Sequence, residues 1–160
     1  MINVFTIGVY NSTEKGFFEK LAKNHIDMFC DIRQRRGVRG SLYRYVNSNY
    51  LQAKLREFGI NYMYIKELAP TSEIRQKQKD ADKLNNENKK QRTSLGKVFI
   101  KEYNSQILSK FDMKELVKTL EKAGAINVVF FCVEEHASAC HRSLVAKEIS
   151  KLYGNNIIDL

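Results

Sequence analysis

The sequence predicts a single α/β domain spanning residues 1–160, built on a mostly parallel open sheet of about five strands flanked by helices. Three observations predict it. The length of 160 residues fits one ordinary domain and leaves little room for two. Short apolar, β-branched runs alternate with amphipathic stretches along the chain. The run at 126–133 (INVVFFCV) is almost continuously apolar, the pattern of a central strand buried on both faces.

Residues 3–9 (NVFTIGV) read as the first buried strand. Asn11-Ser12-Thr13 offers a cap for a helix to about Asn24, with Phe17, Phe18, Leu21 and Ala22 on one face. Residues 26–32 (IDMFCDI) form a second strand, so the first helix completes a βαβ unit with a parallel pair. A loop rich in Arg and Tyr follows. Asn47 or Ser48 caps a helix through Phe58, which Gly59 ends. Residues 60–65 (INYMYI) give a third strand. The stretch 71–95 is very polar and reads as an exposed helix or mobile insertion with no deep core role. The 3.6-residue period returns over 97–109 and 113–123, with Asp112 as a cap and Gly124 as a stop. After the strand at 126–133, the loop EEHASA leads into an amphipathic helix from Cys140. That helix turns Leu144, Val145, Ile149 and Leu152 inward. A last strand covers 156–160.

Composition narrows the function classes. The apolar fraction of 43% supplies a core, and no run is long enough to span a membrane. Twenty-seven Lys and Arg against eighteen Asp and Glu leave +9, which favours anionic partners. Cys30, Cys132 and Cys140 are too few for a disulfide scaffold. The opening residues read as a strand rather than a basic, apolar leader, so the cytoplasm is the expected compartment.

In an open parallel sheet, ligands sit beyond the carboxyl ends of the strands. The residues there are Gly8 and Tyr10, Asp31 and Arg33, Lys66 and Glu67, and Cys132 and Glu134. Two constellations fall on this rim.

The first is FFCVEEHASACHRSL. Cys140 is expected at or just inside a helix N-terminus, where amide donors stabilise a thiolate or an anion. His141 can exchange protons near neutral pH, and Arg142 can bind phosphate bidentately. The alternative is structural: Cys140 as a buried small residue, with Arg142 tied to Glu134 or Asp31. A tyrosine-phosphatase loop needs Arg six positions after Cys. Six after Cys132 is Ser138, and Arg142 follows Cys140 by two, so that chemistry is excluded. Cys132, His136, Cys140 and His141 are zinc-ligand types, with Cys30 or a carboxylate as a fourth donor. Without CxxC or HExxH spacing no metal or cofactor is assigned, and metal binding at Cys132, Cys140 and His141 stays open.

The second constellation runs from Arg33 to Arg56. It holds seven basic residues and no acidic one. Arg33, Arg35, Arg36 and Arg39 are suited to phosphates, and Tyr43, Tyr45 and Tyr50 are interleaved for base stacking. The bland reading is a solvated basic loop with tyrosines packed on the core. Asp31 either orients a reactive group or balances an arginine.

Taken in order, these motifs resemble the family called domain of unknown function 488. The resemblance is carried by Thr6-Ile7-Gly8, Asp31-Ile32-Arg33, Gly59-Ile60-Asn61-Tyr62, and Cys132-Val133-Glu134 with Cys140-His141-Arg142. Ile157-Ile158-Asp159-Leu160 also fits. Leu68-Ala69-Pro70 stands where Leu-Gly-Gly is common, and Gln34-Arg35-Arg36 where a Ser usually follows. The resemblance implies a fold and a site location and supplies no reaction.

The leading expectation is a protein that binds a phosphate-bearing ligand, nucleic acid or nucleotide, at the strand rim. Arg33, Arg35, Arg36, Arg39 and Arg142 hold phosphates, Tyr43 and Tyr45 stack, and Asp31, Glu134, Cys140 and His141 line the reactive end. One alternative is an enzyme on a small anionic substrate, with Cys140 as nucleophile and His141 or Glu134 as acid/base. The other is a scaffold module with a structural Cys-His-Arg network.

Overall fold

The computed structural model describes residues 1–86 and 93–160. Five parallel strands form one sheet: β1 (Asn3–Ile7), β2 (Met28–Asp31), β3 (Asn61–Tyr64), β4 (Asn127–Phe131) and β5 (Ile157–Asp159). Their spatial order is β3-β2-β4-β1-β5. β4 is central, paired in register with β1 (Phe5 opposite Val129) and with β2 (Phe29 opposite Val129).

The order corrects one expectation. β1 and β2 are parallel but not neighbours, because β4 lies between them. The first βαβ crossover therefore skips one strand position, which the later arrival of β4 fills.

Side-chain alternation along β4 builds two cores. Val128 and Phe130 face one side, with Val4, Met28 and Cys30. Val129 and Phe131 face the other, with Phe5, Ile7 and Phe29. Burying each aromatic of this size is worth about 1.5–3 kcal/mol.

Helix α1 (Glu14–Lys23) and helix α2 (Ser48–Glu57) cover the second face through Phe17, Phe18, Leu21, Leu51 and Leu55. Thr13 caps α1, its hydroxyl accepting from Gly16 N at 3.1 Å. The other face is covered by α3 (Ser72–Leu84), α4 (Lys97–Tyr103), α5 (Met113–Lys122) and α6 (Arg142–Tyr153). Asp112 caps α5, accepting from Glu115 N at 2.9 Å, and Gly124 leaves it at φ +78°, a conformation that favours glycine. A π-type turn at Asn104–Leu108 follows α4.

Two further expectations are revised. Leu152 is exposed; α6 buries Arg142, Val145, Ala146 and Ile149, one turn-face further round. The polar stretch 71–95 does contribute to the core. Residues 72–84 form α3, and Ile74, Gln78 and Asp82 are its buried stripe. Gln78 accepts from Phe99 N at 2.8 Å and donates to Asp82 at 2.6 Å, so this polar stripe is hydrogen-bonded inside the protein. The part of that stretch at 87–92 lies outside the described residues. Among the described residues no helix is long and apolar enough to cross a membrane.

Candidate functional site

The C-terminal ends of β4 and β1 open into a cavity of about 340 Å³. Tyr10 comes from the loop after β1, and Cys132, Val133 and Glu134 from the loop after β4. Cys140 and His141 come from the start of α6; Arg75, Gln78, Lys79 and Asp82 from α3. Pro70, Leu95 and Phe99 supply apolar wall.

Close approach of two loops sets this geometry. Val9 N and Tyr10 N both donate to Val133 O, at 3.2 and 3.1 Å. Gly8 permits that approach: a Cβ there would lie 2.0 Å from Glu134 O. Only a residue without a side chain fits.

Arg142 then fixes the loop from below. Its guanidinium donates to Glu134 O at 2.6 Å, to Glu135 O at 2.9 Å and to Thr6 Oγ1 at 3.3 Å. It is 2% exposed. This corrects its expected role: all three donor arms point at protein acceptors, so it holds the loop rather than a phosphate. Its partners are backbone carbonyls of residues 134 and 135 and the Thr6 hydroxyl, not the carboxylates of Glu134 or Asp31.

Cys140 lies just outside α6, before its first turn, and His141 is the cap residue. The His141 Nε2 sits 2.9 Å from Ile32 O. A carbonyl can only accept, so Nε2 carries a proton, and Nδ1 faces Cys140 Sγ, 3.7 Å away. The His141 ring packs against the buried Tyr103, 5.6 Å between centroids, whose hydroxyl donates to Leu68 O at 2.5 Å. Burial opposes ionisation of Cys140, yet hydrogen bonding from Cys132 and the nearness of His141 and Arg142 outweigh it and hold its thiol well below the usual range. Cys132 is the reverse: its hydrogen bond to Cys140 and its burial push it well up. Cys132 Sγ, Cys140 Sγ and a His141 ring nitrogen all lie within 4.8 Å of one another. Thiolate and imidazole are the donors that suit a borderline-soft divalent ion. His136 is exposed beside Glu135 and stands outside this group. Cys30 is buried in the sheet, its thiol pushed up by burial and by Asp31.

The remaining expected residues separate. Asp31 is fully buried and does not reach the cavity. Arg33 grips it at 2.9 and 2.7 Å and Tyr62 donates to it at 2.8 Å. So Asp31 balances an arginine, and Arg33, 2% exposed, is turned onto that carboxylate and does not line the cavity. Tyr45 is 3% exposed, with its hydroxyl donating to Ser12 O at 3.0 Å, which removes it as a stacking platform. Tyr43 is half-buried; it accepts from Asn11 N, and its ring packs on Tyr10 at 5.3 Å. Arg36 lies over the Tyr64 ring at 4.2 Å. Arg35 and Arg39 are exposed.

Sequence reasoning missed the α3 wall. Arg75 and Lys79 are four residues apart, hence on one helical face, and both line the cavity. The signal was slight: of the buried stripe Ile74, Gln78 and Asp82 only Ile74 is apolar, so the inward side of this helix carries no hydrophobic period.

Comparison with curated proteins and with solved structures returns no match. A family model, Domain of unknown function DUF488, matches residues 13–149 of the 160. The matched span takes in α1, the whole Cys132-to-Arg142 block and most of α6, and the chain therefore belongs to the DUF488 family.

Proposed function

We propose that the rim cavity binds a small phosphate-bearing ligand of nucleotide size. The observation that carries this reading is the pair Arg75 and Lys79. Both are exposed cations on one face of α3, both line the cavity, and neither side chain forms a hydrogen bond or ion pair with a described residue. Arginine grips phosphate oxygens bidentately and lysine supplies a point charge, so the pair suits a doubly charged group. The volume of about 340 Å³ falls within the range of small-molecule sites and holds no polymer. Tyr10 and Phe99, both in the cavity wall, offer flat apolar surface to a ring.

The test is a thermal-shift panel of nucleoside phosphates, sugar phosphates and inorganic phosphate. A ligand at a hundred times its Kd stabilises by about 2.7 kcal/mol. At least one phosphorylated compound is expected to raise the melting temperature, and Arg75→Gln/Lys79→Gln to abolish the rise. A wild-type protein that responds to none of them overturns the reading.

A second reading, nucleic acid, is favoured by one observation. The acid-free loop carries exposed Arg35 and Arg39 and leads to Tyr43, which packs on Tyr10 at the cavity wall. It requires binding of single-stranded DNA or RNA with a steep salt dependence.

A further inference from the structure

The base of the cavity carries a donor set that the phosphate-binding reading does not use. Cys132 is 6% exposed, Cys140 2% and His141 4%, yet all three line the cavity. Buried cysteine pairs in a protein interior more often pack as small apolar residues or form a disulfide. Here both are free thiols. They converge with a ring nitrogen to within 4.8 Å.

We propose that Cys132, Cys140 and His141 ligate a zinc ion and leave its fourth position open to the cavity. Three independent features support this. The first is spacing. In a tetrahedral zinc site, with bonds of about 2.3 Å to sulfur and about 2.0 Å to nitrogen, neighbouring donors stand roughly 3.5–3.8 Å apart. The Cys140 Sγ to His141 Nδ1 distance of 3.7 Å already meets that, and the widest separation, within 4.8 Å, closes by small side-chain rotations.

The second is the outer support. A metal-binding histidine characteristically donates its far N–H to a carboxylate or backbone carbonyl, which fixes the ring and exposes the other lone pair. The His141 Nε2 to Ile32 O bond of 2.9 Å does this from the end of β2. The third is charge. Two thiolates and one divalent ion sum to zero, so the buried centre adds no uncompensated charge to the interior.

Three protein ligands with an open fourth position is the pattern of a working zinc rather than a structural one. This part of the inference rests on the pocket reading: the fourth position would take a water or an oxygen of the ligand that Arg75 and Lys79 hold. The metal site itself stands without it.

The probe is the metal alone. Full-length protein, reduced and stripped with a chelator, is titrated with cobalt(II). The expected result is one ion per chain, a thiolate-to-cobalt charge-transfer band, the strong visible bands of a tetrahedral ion, and bleaching by zinc. Cys132→Ser and Cys140→Ser should each weaken uptake by at least about tenfold. Because either variant could fail to fold, a second measurement uses the wild type. Zinc should slow iodoacetamide labelling of Cys132 and Cys140 by at least about tenfold, on the same scale as a lost ligand, and leave Cys30 unaffected. A folded wild type that takes up no cobalt, and whose Cys140 is labelled equally fast with and without zinc, overturns the proposal. Metal uptake without any phosphate binding would sink the pocket reading and keep the metal. Phosphate binding without metal uptake would do the reverse.

Discussion

The guanidinium of Arg142 donates to the backbone carbonyl of Glu134 at 2.6 Å, so the first residue of α6 holds the loop that carries Glu134 over the end of β1. A second arm reaches Glu135 O at 2.9 Å. A buried cation satisfied by carbonyls is a structural clamp, and the cavity wall depends on it.

Arg142→Lys keeps the charge and loses the fork. It should leave at least one of the two carbonyls unpaired and cost about 1.5–3 kcal/mol, the size of a hydrogen bond to a charged group. Urea unfolding of the purified variant measures this. An unchanged midpoint would mean that the clamp is dispensable.

Gly8→Ala places a methyl 2.0 Å from Glu134 O and 3.1 Å from the Arg142 guanidinium. Neither neighbour can yield cheaply, since one is backbone and the other is clamped. A loss of about 1–3 kcal/mol is expected, together with a distorted cavity. Thermal unfolding checks the first and ligand-induced stabilisation the second. Wild-type values for both would contradict the close-approach argument.

Asp31→Ala removes the partner of a guanidinium that is 2% exposed. Leaving one member of a buried pair alone costs about 3–5 kcal/mol. The site is not at the cavity, so phosphate binding by the protein that still folds should stay within about twofold of wild type. A large loss of affinity with little loss of stability would restore Asp31 to the functional site.

Tyr62 sets a pH dependence. Burial, and then the neighbouring Asp31 carboxylate, push its phenol up to about 12. Its unfolded value is about 10. The neutral phenol is therefore favoured on folding. Its contribution is complete below about pH 10 and is lost as the pH rises through about 12. Urea midpoints followed across that window should fall more steeply for wild type than for Tyr62→Phe. Equal slopes would remove Tyr62 as the cause.

Legibility differed by feature for a physical reason. The caps Thr13 and Asp112 and the stop at Gly124 are local chemistry, and the structure has them where the sequence places them. The both-face burial of β4 follows from its apolar run. The insertion of β4 between β1 and β2 was not legible, because a strand's composition does not name its partners. Arg33 and Arg142 misled for a related reason. In sequence they add to a basic surface; in the fold each is buried on its own acceptors. The α3 wall was hidden because two of its three buried residues, Gln78 and Asp82, are polar, and a hydrophobic period cannot register them.

The most direct test of the account is calorimetric titration of wild-type protein and of Arg75→Gln/Lys79→Gln with the phosphorylated compound that most raises the melting temperature. Arg35→Ala/Arg36→Ala/Arg39→Ala serves as the control that alters the basic loop and leaves the cavity intact. Loss of two contacts to charged phosphate oxygens should weaken binding by about tenfold or more in the α3 variant. The loop variant should bind as wild type does. The opposite pattern, an α3 variant that binds normally and a loop variant that does not, would move the ligand off the cavity and onto the Arg35–Arg39 surface.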